Sequence, residues 1–320
     1  MVQRYRQVLI ALLSSVAVYL AANAAEFAFI RALHPTEVEL TWISDLILAG
    51  GFGYAIYLWL HLKAARKELA DAERARIAID TELALAAEIQ RSFLPRVPAP
   101  LEGLRWAASQ APAGKVGGDF YDFVRTGDHS MLFLLGDISG KGIPAALLLA
   151  SVRALFRLFS KETQGPAELV NRLSRVLYQE TGGAMFMTCL VGLFDLAERS
   201  LTFTNAGHPP GLIIGSGNRL LLETGGVPAG LFESSSYQSK TVVLGPGAAG
   251  VFVTDGISEA VECDGGSAFE VLAATIANVG PADPEKICAA IMRLANKGAG
   301  PAADEGGKDD QTVLCFVIDR

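Results

Sequence analysis

Four acidic corners constrain this chain more than any other feature: Gly118-Asp119, Gly136-Asp137, Asp255-Gly256 and Asp309-Asp310. Apolar runs at residues 131–135, 251–253 and 313–318 adjoin three of them, bounded by turn residues, and read as buried strands. A carboxylate at such a strand end is costly to bury without a partner. Carboxylates gathered there from separated segments repel one another unless a cation lies between them. The pattern therefore predicts a set of oxygen ligands for hard divalent metal ions.

The 320 residues exceed one small domain and predict two units of unequal size. The chain is 51% hydrophobic, and the excess lies near its start. Residues 8–30 carry one charge, Glu26, and residues 41–62 carry Asp45. Each run is long enough to cross ~30 Å of hydrocarbon as a helix. Two in succession argue against a cleaved leader. Arg4 and Arg6 precede the first, and Lys63, Arg66 and Lys67 follow the second, so the positive-inside bias puts both ends in the cytoplasm. Residues 1–62 are thus expected to be a multi-pass anchor in the cytoplasmic (inner) membrane, with Trp42, Tyr57 and Trp59 as interfacial anchors.

Residues 63–94 contain no Gly or Pro and predict one long helix. A heptad places Leu62, Leu69, Arg76, Leu83 and Gln90 on one line and Ala65, Ala72, Ile79, Ala86 and Phe93 on the other. This weak seam favours a parallel two-stranded coiled coil, hence a homodimer, over a solvated single helix. Pro95, Pro98 and Pro100 end the helix and open a domain over residues 95–320. Cys189, Cys263, Cys288 and Cys315 form no CxxC pair, and the four histidines are scattered, which argues against disulfide, zinc and histidine-based metal sites. A net charge of −7 gives no sign of nucleic-acid binding.

Within the domain, helices are expected at 143–160, with Arg153 and Arg157 on the polar side, and at 166–180, 267–278 and 284–296. Strands are expected at 185–194, 200–204, 212–214, 219–222, 239–244, 250–254 and 311–318. Runs of strands bracketed by helix pairs predict an α+β layered domain. The loop 136–142 lacks the GxxxxGK[ST] spacing, since Gly142 follows Lys141, and so is no nucleotide-phosphate loop. Its glycines instead let backbone carbonyls approach whatever Asp137 holds.

Five motifs in order carry a resemblance: Gly117-Gly118-Asp119-Phe120-Tyr121-Asp122, Gly136-Asp137-Ile138-Ser139-Gly140-Lys141-Gly142, Asn205-Ala206-Gly207-His208-Pro209-Pro210, Thr254-Asp255-Gly256-Ile257-Ser258-Glu259-Ala260 and Asp309-Asp310-Gln311-Thr312. Together they resemble the metal-dependent serine/threonine protein phosphatases of the bacterial sporulation stage II and sigma-regulator type. The resemblance extends over residues 86–320, where Ala87-Glu88-Ile89-Gln90 and Phe93-Leu94-Pro95 resemble that family's switch-helix entry.

The resemblance implies a sandwich of two antiparallel β-sheets flanked by helix pairs, and two Mn²⁺ or Mg²⁺ ions. It implies that Asp137 bridges the ions, that the Ile138 carbonyl ligates one, and that Asp255 and Asp309 complete the other. Asp119 would be a further ligand or act through metal-bound water. Two cations roughly 3.5–4 Å apart would make a bridging water nucleophilic toward a phosphoserine or phosphothreonine phosphorus. Asp122 and Glu259 are either supporting carboxylates or caps, and Asp310 is expected to support Asp309. His208 reads best as a packed turn residue. Ser139 and Lys141 stand where better-known relatives carry a general-acid histidine, and no phosphate-binding arginine is assignable. The expected function is a membrane-anchored protein phosphatase acting on an anti-sigma-factor antagonist. The alternatives are a catalytically silent signalling scaffold and a small-molecule phosphohydrolase.

Overall fold

The computed structural model describes residues 38–93, 95, 101–215, 218–223, 225–261, 267–280, 283–298 and 309–319, with a few single positions before residue 33. The chain divides into two units, Met1–Asp80 and Thr81–Arg320. Helix α1 (Val38–Phe93) takes in both the second expected span and the expected connector. Among the described residues, no helix is long and apolar enough to cross a membrane. The expected span at 41–62 thus finds no support. The first expected span, 8–30, lies outside the described residues apart from single positions.

In the second unit the order is β1 (Leu104–Ala111), β2 (Asp119–Arg125), β3 (Ser130–Ile138), α2 (Ile143–Phe159), α3 (Pro166–Thr181), β4 (Met187–Asp195) and β5 (Ser200–Ala206). There follow β6 (Gly211–Gly215), β7 (Asn218–Leu222), β8 (Lys240–Val243), β9 (Ala249–Val253), α4 (Asp255–Val261), α5 (Ala268–Val279), α6 (Pro284–Gly298) and β10 (Gln311–Ile318). Two five-stranded sheets result, ordered β1-β10-β9-β6-β7 and β2-β3-β4-β5-β8, and every strand pair is antiparallel. The structure is therefore the expected α+β sandwich of two antiparallel sheets with helices.

Apolar residues explain the layers. β10 buries every residue from Gln311 to Ile318, because one face meets the opposing sheet and the other meets helices. Between the sheets lie Trp106, Phe133, Phe194, Phe252 and Phe316, with Trp106 edge-on to Phe194 at 4.8 Å and 88°. Removing one such ring, as in Phe133→Ala, would cost about 3–5 kcal/mol. Ile257, Leu272, Ile276, Ile287 and Ile291 of α4, α5 and α6 cover the outer face of the first sheet. Leu149, Val152, Phe156, Leu169 and Leu173 of α2 and α3 cover that of the second.

The helices stop where backbone chemistry stops them. Gly182, left-handed at φ 61°, closes α3, and its N–H returns to the Tyr178 carbonyl. Short α4 starts at Asp255, where the sequence patterning gives only a strand end. This topology brings the start of β2, the end of β3, the β9–α4 junction and the start of β10 to one end of the sandwich.

Candidate metal centre

β2 and β3 pair in a register that sets Asp119 directly opposite Asp137. Cross-strand partners hold their Cβ atoms ~4.5–5.5 Å apart, and like charges placed so are destabilising. The opposing sheet contributes the neighbours of Asp119. The Thr254 and Thr312 hydroxyls each donate to Asp119 Oδ2 at 2.7 Å, and the Thr312 N–H donates to Thr254 Oγ1 at 3.0 Å. Asp119 is only 1% exposed, yet its Oδ1 makes no hydrogen bond. A buried carboxylate oxygen left without a donor is the place where a cation is missed most.

Titration reflects this crowding. Burial, then the neighbouring Asp137, pushes the Asp119 carboxyl well above the usual carboxylate range, against the opposing effect of the Thr254 and Thr312 hydroxyls. Asp137 is pushed up to about 7 by burial and then by Asp255, Asp309 and Asp310, with Lys141 acting against the rise. Burial and the nearby Asp309 likewise raise Asp255. The residues named from the motifs are thus electrostatic neighbours, although they come from four separated segments.

Glycines make this crowding possible. A Cβ on Gly118 would stand 2.7 Å from the Ile138 carbonyl oxygen and 2.8 Å from Asp137 Oδ1. A Cβ on Gly117 would run into the Asp310 carboxylate. Asp310 braces this turn from β10: Oδ1 accepts from the Ala113 N–H at 2.8 Å and Oδ2 from the Gly118 N–H at 2.6 Å. Gln90, near the end of α1, clasps Gly117 from the other side. Its amide donates to the Gly117 carbonyl at 2.6 Å and accepts from the Gly117 N–H at 3.1 Å.

The remaining motif residues are placed differently. Asp309 is half exposed and pairs with Lys141, Nζ to Oδ1 at 3.2 Å. Ser139 Oγ accepts from the Phe186 N–H at 2.9 Å, so this hydroxyl ties β3 to the segment before β4. His208 is buried, its Nδ1 3.0 Å from Thr188 Oγ1, and burial lowers its pKa to about 3. It is a neutral turn residue. Glu259, one turn beyond Asp255, is exposed.

Asp122 is removed from the cluster. It stands three positions after Asp119, and an odd offset on a strand puts two side chains on opposite faces. Asp122 therefore faces α2, where Arg157 grips it with Nε–Oδ2 at 2.6 Å and Nη2–Oδ1 at 2.7 Å, and Arg153 Nε lies 3.1 Å away. Asp122 thus lies apart from the carboxylate cluster, and Arg153 and Arg157, on the polar side of α2 as expected, reach over the sheet to pair with it, with Arg157 remaining half exposed. Sequence reasoning also passed over Thr254 and Thr312. The only signal was their place immediately before Asp255 and three residues after Asp309.

Among the described residues, no group of three or more His, Cys, Asp or Glu side chains is arranged so that it could hold a metal ion. The physical reason is visible in the partners: Asp119 Oδ2 is held by threonines, Asp309 by Lys141 and Asp310 by amides. The donor chemistry nonetheless fits hard divalent ions, with repelling carboxylates, an unpartnered Asp119 Oδ1 and a carbonyl at Ile138 beside a glycine gap. Were such ions bound, Asp119, Asp137, Asp255 and Asp309 are the residues that would hold them.

Comparison with known proteins gives independent information. Residues 127–319 match the family described as Stage II sporulation protein E (SpoIIE). Protein IcfG of Synechocystis sp. is 28% identical over 266 residues, which cover 70% of this chain and 42% of that protein. Phosphoserine phosphatase RsbU of Bacillus subtilis is 26% identical over 235 residues, covering 72% of this chain and 67% of RsbU. Among solved structures, the SiaA-PP2C domain of Pseudomonas aeruginosa superposes with a TM-score of 0.66 at 23% identity, covering 77% of this chain and 99% of that one. This last likeness shows a shared fold.

Proposed function

The chain belongs to the SpoIIE family and carries its PP2C-type phosphatase domain, and from that premise we propose that it is a metal-dependent phosphoserine/phosphothreonine protein phosphatase. One observation carries this reading: Asp119 and Asp137 face each other across β2 and β3, with Asp119 Oδ1 buried and unpartnered. Such an arrangement is relieved either by a proton or by a cation to share. When bound, a pair of Mn²⁺ or Mg²⁺ ions supplies the activated water and the charge that phosphoryl transfer requires. Asp137 and Asp119 would hold this pair from the β2–β3 side, Asp255 and Asp309 from the start of α4 and the segment before β10, and the Ile138 carbonyl would add a neutral oxygen. Thr254 and Thr312 orient Asp119, and Asp310 holds the Gly117–Gly118 turn closed beneath it.

The similarity to the phosphoserine phosphatase RsbU supports a phosphoprotein substrate, and an anti-sigma-factor antagonist is the class we assign. A homodimer through α1 is supported by Leu62, Leu69 and Ile79, exposed at heptad positions; light scattering of the full chain tests it. Placement at the cytoplasmic membrane, with the domain inside, draws on the hydropathy of residues 8–30, and cell fractionation tests it. The silent-scaffold reading is favoured by the lack, among the described residues, of a group of three or more His, Cys, Asp or Glu arranged to hold a metal ion. Manganese-dependent phosphate release from a phosphoserine protein separates the two. Binding of manganese without release supports the scaffold; release that is lost in Asp137→Asn supports the phosphatase.

A further inference from the structure

Gly117 and Gly118 lie just ahead of β2, outside any strand, so their backbone groups need partners from elsewhere. The Gly118 carbonyl accepts from the Ile138 N–H at 3.2 Å, and the Gly118 N–H donates to Asp310. Two glutamines outside the five motifs supply further bonds. Gln90 closes a two-way amide pair on Gly117, at 2.6 and 3.1 Å. Gln110 Nε2 donates to the Asp119 carbonyl at 2.8 Å. Exposed Lys115, just ahead of the turn, supplies none of these bonds.

Stability alone does not explain a glutamine at position 110. Its Oε1 is buried and finds no donor among the described residues, a cost that an apolar side chain of similar size would not carry. Its place in the sheet gives the reason. Gln110 lies opposite Thr312 in the β1–β10 register, and Thr312 Oγ1 donates to Asp119 Oδ2 at 2.7 Å. One cross-strand pair therefore grips both the backbone and the carboxylate of Asp119.

We propose that Gln110 and Gln90 are positioning residues of the metal centre, a neutral amide clamp that sets where the Asp119 carboxylate stands. A glutamine amide both donates and accepts while adding no charge. A carboxylate in either place would add to the repulsion among Asp119, Asp137, Asp255 and Asp309. A fixed cation there would compete with the ions these residues are to hold. The role of the two glutamines rests on the phosphatase reading and adds to it what orients the buried ligand.

The test compares the full-length wild type with Gln110→Leu and Gln90→Leu, by calorimetric titration with Mn²⁺, thermal unfolding without metal, and NMR hydrogen exchange at the Gly118 amide. Leucine keeps the approximate size and removes the bonds. Each variant is expected to bind Mn²⁺ at least about tenfold more weakly, as happens when a group that orients a ligand is lost. Gln110→Leu should unfold close to the wild-type midpoint, because it removes one unpartnered oxygen and leaves another. Neither glutamine bonds the Gly118 N–H, so faster exchange there in both variants reports a loosened turn. Where Gln90→Leu does not fold, Gln110→Leu decides. Mn²⁺ affinity within about twofold of wild type in folded Gln110→Leu overturns the proposal. So does a fall in affinity that only follows a fall in the unfolding midpoint, which would make the glutamine a structural residue. If the wild type binds Mn²⁺ in this glutamine-dependent way but releases no phosphate from a phosphoserine protein, the phosphatase reading fails and the clamp stands.

Discussion

Asp119 and Asp122 lie three residues apart on β2, both buried, and differ in what neutralises them. Asp122 looks outward and has two arginines of α2 within 3.1 Å. Asp119 looks inward, faces another carboxylate, and has only two threonine hydroxyls on one of its oxygens. The first charge is balanced within the protein and the second is not. A buried ion pair whose partners are all present is structure; a buried carboxylate facing its own kind is a request for a cation.

The comparison breaks most sharply with Asp119→Asn. Phosphate release should fall by at least ~100-fold, because an anionic ligand is lost. Stability without metal should hold or rise, because the repulsion across Asp137 is relieved. A large loss of stability would place Asp119 with Asp122 among structural carboxylates. Asp122→Ala should do the reverse, destabilising by about 2–3 kcal/mol in urea unfolding. That is below the ~3–5 kcal/mol of a fully buried pair, because Arg157 is half exposed. Its Mn²⁺ affinity should remain within about threefold of wild type; a tenfold loss would mean that the two faces of β2 are not independent.

The smallest effect is that of pH. The folded Asp137 titrates near 7, above its unfolded range, so in the absence of metal the folded state holds the extra proton. Stability from this group is therefore full at low pH and is lost as pH rises through about 7. Metal binding has to displace that proton. Mn²⁺ affinity should weaken as pH drops from 8 to 6, and binding at pH 6 should release protons measurable as a buffer-dependent enthalpy. Equal affinity at both values would remove Asp137 from the ligand set.

The inward face was the more legible of the two. Asp119, Asp137, Asp255 and Asp309 stand in motifs whose glycines and turns announce strand ends, and the order of apolar runs announces a layered sandwich. Helix limits at Gly142 and Gly182 were readable from the glycines themselves. The outward face was hidden, because the Asp122–Arg157 pair joins a strand to a helix 35 residues later and leaves no local pattern. Thr254 and Thr312 were hidden for a similar reason: they meet over one carboxylate only after β9, β10 and β2 have been brought together. Helix α4 went unseen because Gly256 at its start disfavours helix and only packing against α6 and β10 overrides it. The run at 41–62 reads from its length as a span, yet among the described residues no helix is long and apolar enough to cross a membrane.

The central claim is that the inward carboxylates hold the ions of a phosphoserine phosphatase. Its most direct test is phosphate release from a phosphoserine-bearing protein by the full chain, with Mn²⁺ present or removed by chelation, in wild type and Asp137→Asn. The account predicts release that requires Mn²⁺ and disappears in Asp137→Asn while its thermal unfolding stays cooperative. Release that survives chelation, or a folded Asp137→Asn as active as wild type, would contradict it.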